Sequence, residues 1–165
     1  MLNIFMLCRD DPAAAAQSLA ALVPGVVLGH VGRVVLQAPQ DSEALRHLAD
    51  EAGCDLVTGA DSEELFLAER RRRPGWWIVM QSGQIPAEGW SDEAMRHAAL
   101  RMTPAAILPA RGFQKIVIAR AALLLGLAST RHHMLLLPQS HMMKGKAGQL
   151  GCRAKATPLR AVFES

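Results

Sequence analysis

Three histidines lie close together in the second half of the sequence, at His132, His133 and His141. Imidazole side chains bind metal ions and exchange protons near neutral pH, so this spacing raises the question of a metal or acid–base site. Neighbouring residues of a strand point to opposite faces, however, and no Asp or Glu lies near these histidines in the sequence. The pattern therefore favours surface or loop histidines over a metal site.

The thiols of the chain are Cys8, Cys54 and Cys152. Their odd number and wide spacing are typical neither of a disulfide framework nor of a Cys-x-x-Cys metal or redox motif. Cys8 follows an apolar run and has one basic neighbour, Arg9, so we interpret it as a buried thiol. Because this cysteine usage suits a reducing compartment, we expect the protein in the cytoplasm.

Two common motifs of hydrolysis and phosphate binding are missing from the sequence. A Ser-His-Asp hydrolase would need a Gly-x-Ser-x-Gly elbow, and a phosphate loop would need a Gly-rich stretch ending in Lys-Ser/Thr. The nearest stretch, Gly-Lys-Ala-Gly at residues 145–148, is too short for a phosphate loop. Neither chemistry is therefore expected.

The positive charge of the chain is modest and concentrated. The formal net charge is +3, and much of it comes from the arginines at 70–73. This run closes a predicted helix that begins with Asp61, Glu63 and Glu64, which suits the helix dipole. Because no aromatic residues interleave with the arginines, a solvated helix end is favoured over a nucleic-acid surface. No nucleic-acid partner is expected, while contact with phosphate or anionic lipid stays open.

Short apolar runs alternate with helical segments along most of the chain. Continuous apolar runs are typical of central parallel strands that are covered on both faces. The alternation predicts βαβ units and hence a three-layer, mostly parallel α/β fold of Rossmann-like type, with the first, second and fourth strands adjacent. The predicted strands are residues 2–7, 31–36, 55–58, 76–80, 105–108 and 134–137.

Capping and breaking residues mark the ends of the predicted helices. Pro12 belongs in the first turn of a helix that Pro24 and Gly25 are expected to end. The other expected features are an N-cap at Asp41 or Ser42, an N-cap at Ser91 for a helix over 90–101, and a helix over 113–127.

Ligands of parallel sheets bind beyond the carboxyl ends of the strands, where the loops to the following helices lie. In this sequence those loops are residues 8–11, 37–40, 58–61 and 81–84. We therefore expect any small-molecule site to be built from them.

The length of 165 residues suits one domain. Periodicity fades from Lys144 onward, so we predict a domain over 1–147 and a tail of uncertain structure over 148–165. Residues 1–7 lack a basic n-region and are expected to form a buried strand rather than a signal peptide. The longest apolar stretch, 116–127, is too short to cross a membrane. No transmembrane segment is expected, while peripheral membrane contact stays open.

Several stretches of the chain resemble phrases of one known family. The clearest is residues 75–90, Gly-Trp-Trp-Ile-Val-Met-Gln-Ser-Gly-Gln-Ile-Pro-Ala-Glu-Gly-Trp, and partial matches lie at 9–11, 50–57, 125–127 and 134–138. Together these stretches resemble bacterial glycosyltransferases of family 2, whose corresponding phrase reads Gly-Asp-Trp-Leu-Leu-Phe-Leu-His-Ala-Asp-Thr…Gly-Trp. The resemblance implies the GT-A fold of nucleotide-diphospho-sugar transferases.

The same resemblance implies a ligand and a set of contact residues. The ligand would be a nucleotide-diphospho-sugar whose sugar is transferred by direct displacement. The acidic base or acceptor contact of the family falls near His132, with His133 beside it, so either imidazole is a candidate base. The candidate nucleotide-binding residues are Cys8, Arg9, Asp10, Asp11, Gln37, Gln81, Ser82 and Gly83.

The sequence departs from the family at its acidic positions. The metal-binding aspartate after the fourth strand falls at Gly83, with Gln81 and Ser82 before it, and neutral oxygens bind a dication weakly. After the second strand, Asp41 is shifted from the family's nucleotide-binding acid and suits a helix cap. We therefore expect no divalent metal cofactor, and weak or no metal-dependent catalysis.

Other functions and an assembly also follow from the sequence. A catalytically silent relative would keep the fold to bind a partner or a nucleotide, and an unrelated flavodoxin-like or receiver-like domain stays a third alternative. Apolar residues at 123–127 and 134–137 are expected to form an exposed edge, which predicts a homodimer through residues 113–143.

Overall fold

The computed structural model describes residues 1–9, 11–107, 134–139 and 157–159. In these ranges seven strands form one sheet that four helices accompany. In chain order the elements are β1 (Leu2–Leu7), α1 (Pro12–Val27), β2 (Val31–Ala38), α2 (Glu43–Ala52), β3 (Asp55–Thr58), α3 (Ser62–Arg72), β4 (Trp76–Gln81), α4 (Trp90–Leu100), β5 (Ala105–Ile107), β6 (Met134–Leu137) and β7 (Thr157–Leu159).

The strand order is β3-β2-β1-β4-β6-β5-β7. β1 pairs in parallel with β2 on one side and with β4 on the other, which places Ile4 between Val34 and Ile78. The predicted adjacency of these three inner strands is therefore confirmed. β6 runs antiparallel to both β4 and β5, so the sheet is mixed but mostly parallel.

Helices cover both faces of the sheet and bury two apolar clusters. α1, α2 and α4 pack on one face, whereas α3 packs on the other. On the α3 face, the ring of Phe66 lies 5.1 Å from that of Phe5 and 5.7 Å from that of Trp77, both between centroids. The inner strands are apolar on both faces because both faces are covered. The predicted three-layer α/β fold is confirmed.

The first helix does not end where the sequence predicts. α1 continues through Pro24 and Gly25, and Gly29 follows it with φ 72°. Gly25 is buried, and a Cβ there would lie 3.0 Å from the ring of Trp90. Because the bare backbone of Gly25 allows α1 to pack against the start of α4, this tertiary contact outweighs the local helix-breaking tendency.

The N-cap of α4 also differs from the prediction. The cap residue is Gly89, in the left-handed conformation with φ 73°. Ser91 lies inside the helix, is buried, and its hydroxyl is 3.1 Å from Nδ1 of His30. Ser91 therefore links α4 to the loop before β2 instead of capping its own helix.

The expectation of an exposed apolar edge at Met134–Leu137 is wrong. This segment is β6, an inner strand between β4 and β5, and all four side chains are buried. A short apolar run is compatible with both an edge strand and an inner strand. The sequence alone therefore did not show which position this segment occupies. The predicted helix over 113–127 and most of the predicted dimer region lie outside the described residues, and the homodimer stays a prediction.

The last described segment adds a strand that the sequence did not predict. β7 (Thr157–Leu159) pairs in parallel with β5 inside the predicted tail, while the proposed domain boundary at 147 stays a prediction. Among the helices that the structure describes, none has the length and apolar character needed to cross a membrane.

Candidate functional site

The ends of β1, β2, β3 and β4 and the residues after them meet at one edge of the sheet, which we call the strand-end edge (residues 8, 9, 11, 37–40, 58–61 and 81–84). Parallel pairing brings the carboxyl ends of these strands together. The N–H of Cys8 donates to the carbonyl of Gln37 at 2.7 Å, and the N–H of Ser82 donates to that of Leu7 at 3.0 Å. These bonds extend the sheet pairing into the loops, so residues far apart in sequence become neighbours.

β1 lies at a topological switch point of the sheet. The chain leaves β1 through α1 toward β2 on one side, whereas α3 brings the chain to β4 on the other side. These two helices cover opposite faces. In open α/β sheets such a reversal leaves a crevice beyond the strand ends, and ligands bind there. At this place the structure has the β1–α1 loop and the turn after β4.

The β1–α1 loop presents an arginine and a capping aspartate. Asp11 is the N-cap of α1, and its Oδ1 accepts the N–H of Ala14 at 3.0 Å. Pro12 occupies the first turn, as predicted. Arg9 is exposed at this edge, and its N–H lies 3.4 Å from Oγ of Ser82. A guanidinium here is placed to meet an anionic ligand.

The turn after β4 is stabilised by hydrogen bonds within the turn and by hydrogen bonds to α1. Oε1 of Gln84 accepts the N–H of Gln81 at 2.9 Å, and Gly83 turns the chain with φ 83°. Ser18 of α1 is fully buried, and its Oγ accepts the N–H of Gly83 at 2.8 Å and donates to the carbonyl of Gln84 at 3.0 Å. Hydrogen bonds within the turn and to Ser18 of α1 therefore fix the conformation of the loop after β4.

The loops after β2 and β3 are joined by one side chain. Gln37 is buried, and its Nε2 donates to the carbonyl of Gly59 at 2.8 Å. Asp61 is the N-cap of α3 and accepts the N–H groups of Glu63 and Glu64, each at 3.0 Å. Its carboxylate is therefore engaged by a helix start.

The sequence predicts either Asp41 or Ser42 as the N-cap of α2, and the structure distinguishes the two. Ser42 is the N-cap and accepts the N–H of Leu45 at 3.4 Å. Asp41 instead forms an ion pair with Arg46 on the helix surface. Of the two predicted cap residues, Ser42 takes the role.

Cys8 is a buried thiol, as the sequence predicts. Burial, with a smaller contribution from the nearby Cys54, raises the pKa of Cys8 to about 12. Because nucleophilic attack requires the thiolate, this cysteine is inert near neutral pH. Burial likewise raises the pKa of Cys54.

The structure brings most of the predicted nucleotide-binding residues to the strand-end edge. Asp10 and the candidate bases His132 and His133 lie outside the described residues. The set found together at this edge is Cys8, Arg9, Asp11, Gln37, Gln81, Ser82 and Gly83.

The sequence interpretation missed Ser18, which fastens the turn after β4. Its one signal was a hydroxyl on the buried, Ala- and Leu-rich stripe of α1. Within the ranges that the structure describes, no cluster of three or more His, Cys, Asp or Glu side chains could hold a metal ion.

The three-layer sheet with its switch point at β1 defines the class: a mixed α/β fold similar to the GT-A fold of glycosyltransferases. The chain is similar to a solved mannosyltransferase from Pyrobaculum calidifontis, determined in complex with GDP-Man and Mn2+, with a TM-score of 0.52 and 11% sequence identity. The match covers 82% of this chain and 44% of the mannosyltransferase, so the chain spans less than half of that protein. No protein-family model and no curated protein matches the sequence.

Proposed function

We propose that this chain is a glycosyltransferase-like domain that binds a nucleotide-diphospho-sugar at the strand-end edge through its own groups rather than through a carboxylate-held dication. The observation that carries the proposal is the switch point at β1, where exposed Arg9 lies beside the turn at Ser82 and Gly83. The diphosphate is the part of the ligand that fits the guanidinium of Arg9.

A bound dication is not expected at the strand-end edge, because the carboxylates described there have other partners. Asp11 and Asp61 each accept N–H groups at a helix start. Gln81 and Gln84 carry neutral amides, which repay the dehydration of Mg²⁺ or Mn²⁺ poorly. Without a metal, Arg9 is the described group best placed to offset the charge of the leaving diphosphate.

Sugar transfer by such a domain would be weak. In direct displacement the acceptor oxygen forms a bond to the anomeric carbon while the bond from that carbon to the diphosphate breaks. A base takes the proton of the acceptor hydroxyl, and His132 or His133 is proposed for that role from the family resemblance. Binding is the main function proposed here, and transfer is secondary.

A second candidate is an interaction domain that keeps the fold without binding nucleotides. The observation that favours it is the internal use of side chains at the strand-end edge. Gln37 bonds to the loop after β3, Ser82 lies within reach of the N–H of Arg9, and Gln84 closes its own turn. A crevice whose polar groups were fully occupied in this way would have less to offer a nucleotide.

Calorimetric titration with UDP, GDP and their sugar conjugates, with and without Mn²⁺, separates the two candidates. We expect binding without metal and little change in affinity when Mn²⁺ is added. Arg9→Gln should weaken binding about tenfold, the usual value of one charge-assisted contact. The matched control is Arg46→Gln, which removes the same charge from an exposed arginine on α2.

Each outcome decides between the candidates. Absence of binding to every nucleotide would favour the interaction domain. Binding that requires Mn²⁺ would contradict the metal-free site, and an equal loss in Arg9→Gln and Arg46→Gln would remove Arg9 from it.

A further inference from the structure

The exposed large apolar side chains of the described ranges gather at one end of the molecule. They lie at the end of α1, at the start of β1 and at the end of α4, and each precedes the start of β1, β2 or β5. They are Met1, Val23, Val26, Val27, Leu28, Leu100 and Met102, each at least half exposed.

The topology explains this gathering. β1, β2, β4 and β5 run in the same direction, so their starts share the edge of the sheet opposite to the strand-end edge. We call this side the strand-start edge. It comprises the seven apolar residues above together with Arg71, Arg73 and Arg101. The side chain of Met1, before β1, lies against Gly32 at the start of β2. The apolar groups therefore belong to one side of the fold.

Three arginines lie shortly before the starts of β4 and β5. Arg71 and Arg73 lie at the end of α3, before β4, and Arg101 lies at the end of α4, before β5; all three are exposed. They form no ion pair with any residue that the structure describes, whereas their neighbour Arg72 pairs with Glu69 at 2.9 Å.

Three carboxylates of this edge have cationic or imidazole neighbours. Oδ2 of Asp55 lies 2.8 Å from Nε of Arg33. A carboxylate oxygen of Asp92 lies 3.7 Å from Nδ1 of His30, and Glu51 pairs with His47 on α2. These carboxylates and the exposed Asp50 at the end of α2 lie toward the starts of β2 and β3, whereas the three arginines precede β4 and β5. The positive charge of the strand-start edge is therefore concentrated at the starts of β4 and β5.

We propose that the strand-start edge binds the surface of an anionic lipid bilayer. A surface that combines exposed aliphatic side chains with arginines suits a membrane interface, where the apolar groups enter the headgroup region and the cations meet acidic headgroups. A purely apolar protein partner would give no counter-charge to Arg71, Arg73 and Arg101, which have no ion-pair partner among the described residues. Docking in this way leaves the strand-end edge facing away from the membrane, open to a ligand from solution.

Co-sedimentation of the full chain with vesicles tests the proposal. Vesicles of phosphatidylcholine alone are compared with vesicles that also contain phosphatidylglycerol, at low and at high salt. We expect binding to the mixed vesicles, weakened by salt. Arg71→Gln/Arg73→Gln should lower partitioning to the mixed vesicles roughly tenfold or more, and Val27→Ser/Leu28→Ser should lower it by a similar factor.

The control variant is Arg46→Gln, which lies on α2 away from this edge and should partition like the unchanged protein. Thermal unfolding of each variant establishes that it folds. Equal binding to both kinds of vesicle, or none to either, would overturn the proposal. So would a dimer that Val27→Ser/Leu28→Ser dissociates in the absence of vesicle binding, because the occupant would then be a second copy.

Discussion

The two edges of the sheet use their side chains in opposite ways. At the strand-end edge, polar groups are turned to the protein itself: Ser18 fastens the turn after β4, and Gln37 joins two loops. At the strand-start edge, aliphatic side chains and the guanidinium groups of Arg71 and Arg73 face solvent. Most described polar groups of the first edge therefore bond within the protein, whereas the second edge exposes apolar side chains and arginines to solvent.

Residue type at a functional position does not by itself determine what the side chain does. Asp11 and Asp61 lie where a nucleotide or metal site would use carboxylates, yet each caps a helix. The arginine run reads as one solvated helix end, yet Arg70 is buried over the ring of Phe66 and donates to the carbonyl of Pro138. The expectation of a uniformly solvated run is therefore wrong at Arg70.

The largest expected effect concerns the strand-end edge, where the buried thiol of Cys8 should react slowly. With its pKa raised from 9.0 to about 12, its thiolate fraction near neutral pH is about a thousandfold lower than that of a free thiol. In a Cys54→Ala/Cys152→Ala background, alkylation by iodoacetamide should be slower in the folded protein by about that factor. The rate should keep rising with pH beyond 9, because the group loses its proton only as the pH approaches 12.

Unfolding in denaturant is the control for this experiment, since it should restore the ordinary rate. Fast alkylation of the folded protein would show instead that Cys8 is open to solvent and available as a nucleophile at the strand-end edge.

Removing Arg70 should cause the next largest effect. Arg70→Ala leaves the carbonyl of Pro138 without this donor and removes packing over Phe66, so we expect a loss of about 2–4 kcal/mol in the free energy of unfolding. Urea titration measures it. Arg71→Ala, one residue along and exposed, should cost less than about 0.5 kcal/mol. Equal losses would mean that the two arginines do not differ as the structure shows.

The hydroxyl of Ser18 is the corresponding test at the strand-end edge. Ser18→Ala removes one of the two acceptors of the Gly83 N–H, the other being the carbonyl of Ala14, and the donor to the carbonyl of Gln84. It should lower the free energy of unfolding by about 1–3 kcal/mol. It should also weaken nucleotide binding, because the turn beside Arg9 loses its hydrogen bonds to Ser18. Gln17→Ala, at the exposed neighbouring position, is the control. Unchanged nucleotide affinity in a destabilised Ser18→Ala protein would separate the turn from the binding site.

The smallest effect is expected at Asp11. Asp11→Asn keeps a capping oxygen and should change the free energy of unfolding by less than about 0.5 kcal/mol, whereas Asp11→Ala should cost about 1 kcal/mol. Nucleotide affinity in the presence of Mn²⁺ should be the same for Asp11→Asn and for the unchanged protein. A selective loss of Mn²⁺-dependent binding in Asp11→Asn would show that the carboxylate holds a metal.

The sequence predicted the parallel core because apolar runs such as Leu2–Leu7 require cover on both faces. It also predicted which loops meet at the strand-end edge, since that follows from strand direction alone. The passage of α1 through Gly25 depends on a contact with Trp90, and the anchoring by Ser18 depends on a turn 65 residues away. Such features arise from tertiary packing, and a hydroxyl on the apolar stripe of α1 does not by itself show which loop it contacts.

Amide chemical-shift mapping of nitrogen-labelled protein during addition of a nucleotide-diphospho-sugar, without Mn²⁺, tests the central claim most directly. We predict that the resonances of Arg9, Ser82 and Gly83 shift with saturating dependence on ligand concentration, while those of Val27 and Leu28 at the strand-start edge stay in place. Shifts confined to the strand-start edge, or shifts at Ser82 and Gly83 that appear only after Mn²⁺ is added, would contradict a metal-free nucleotide site at the strand-end edge.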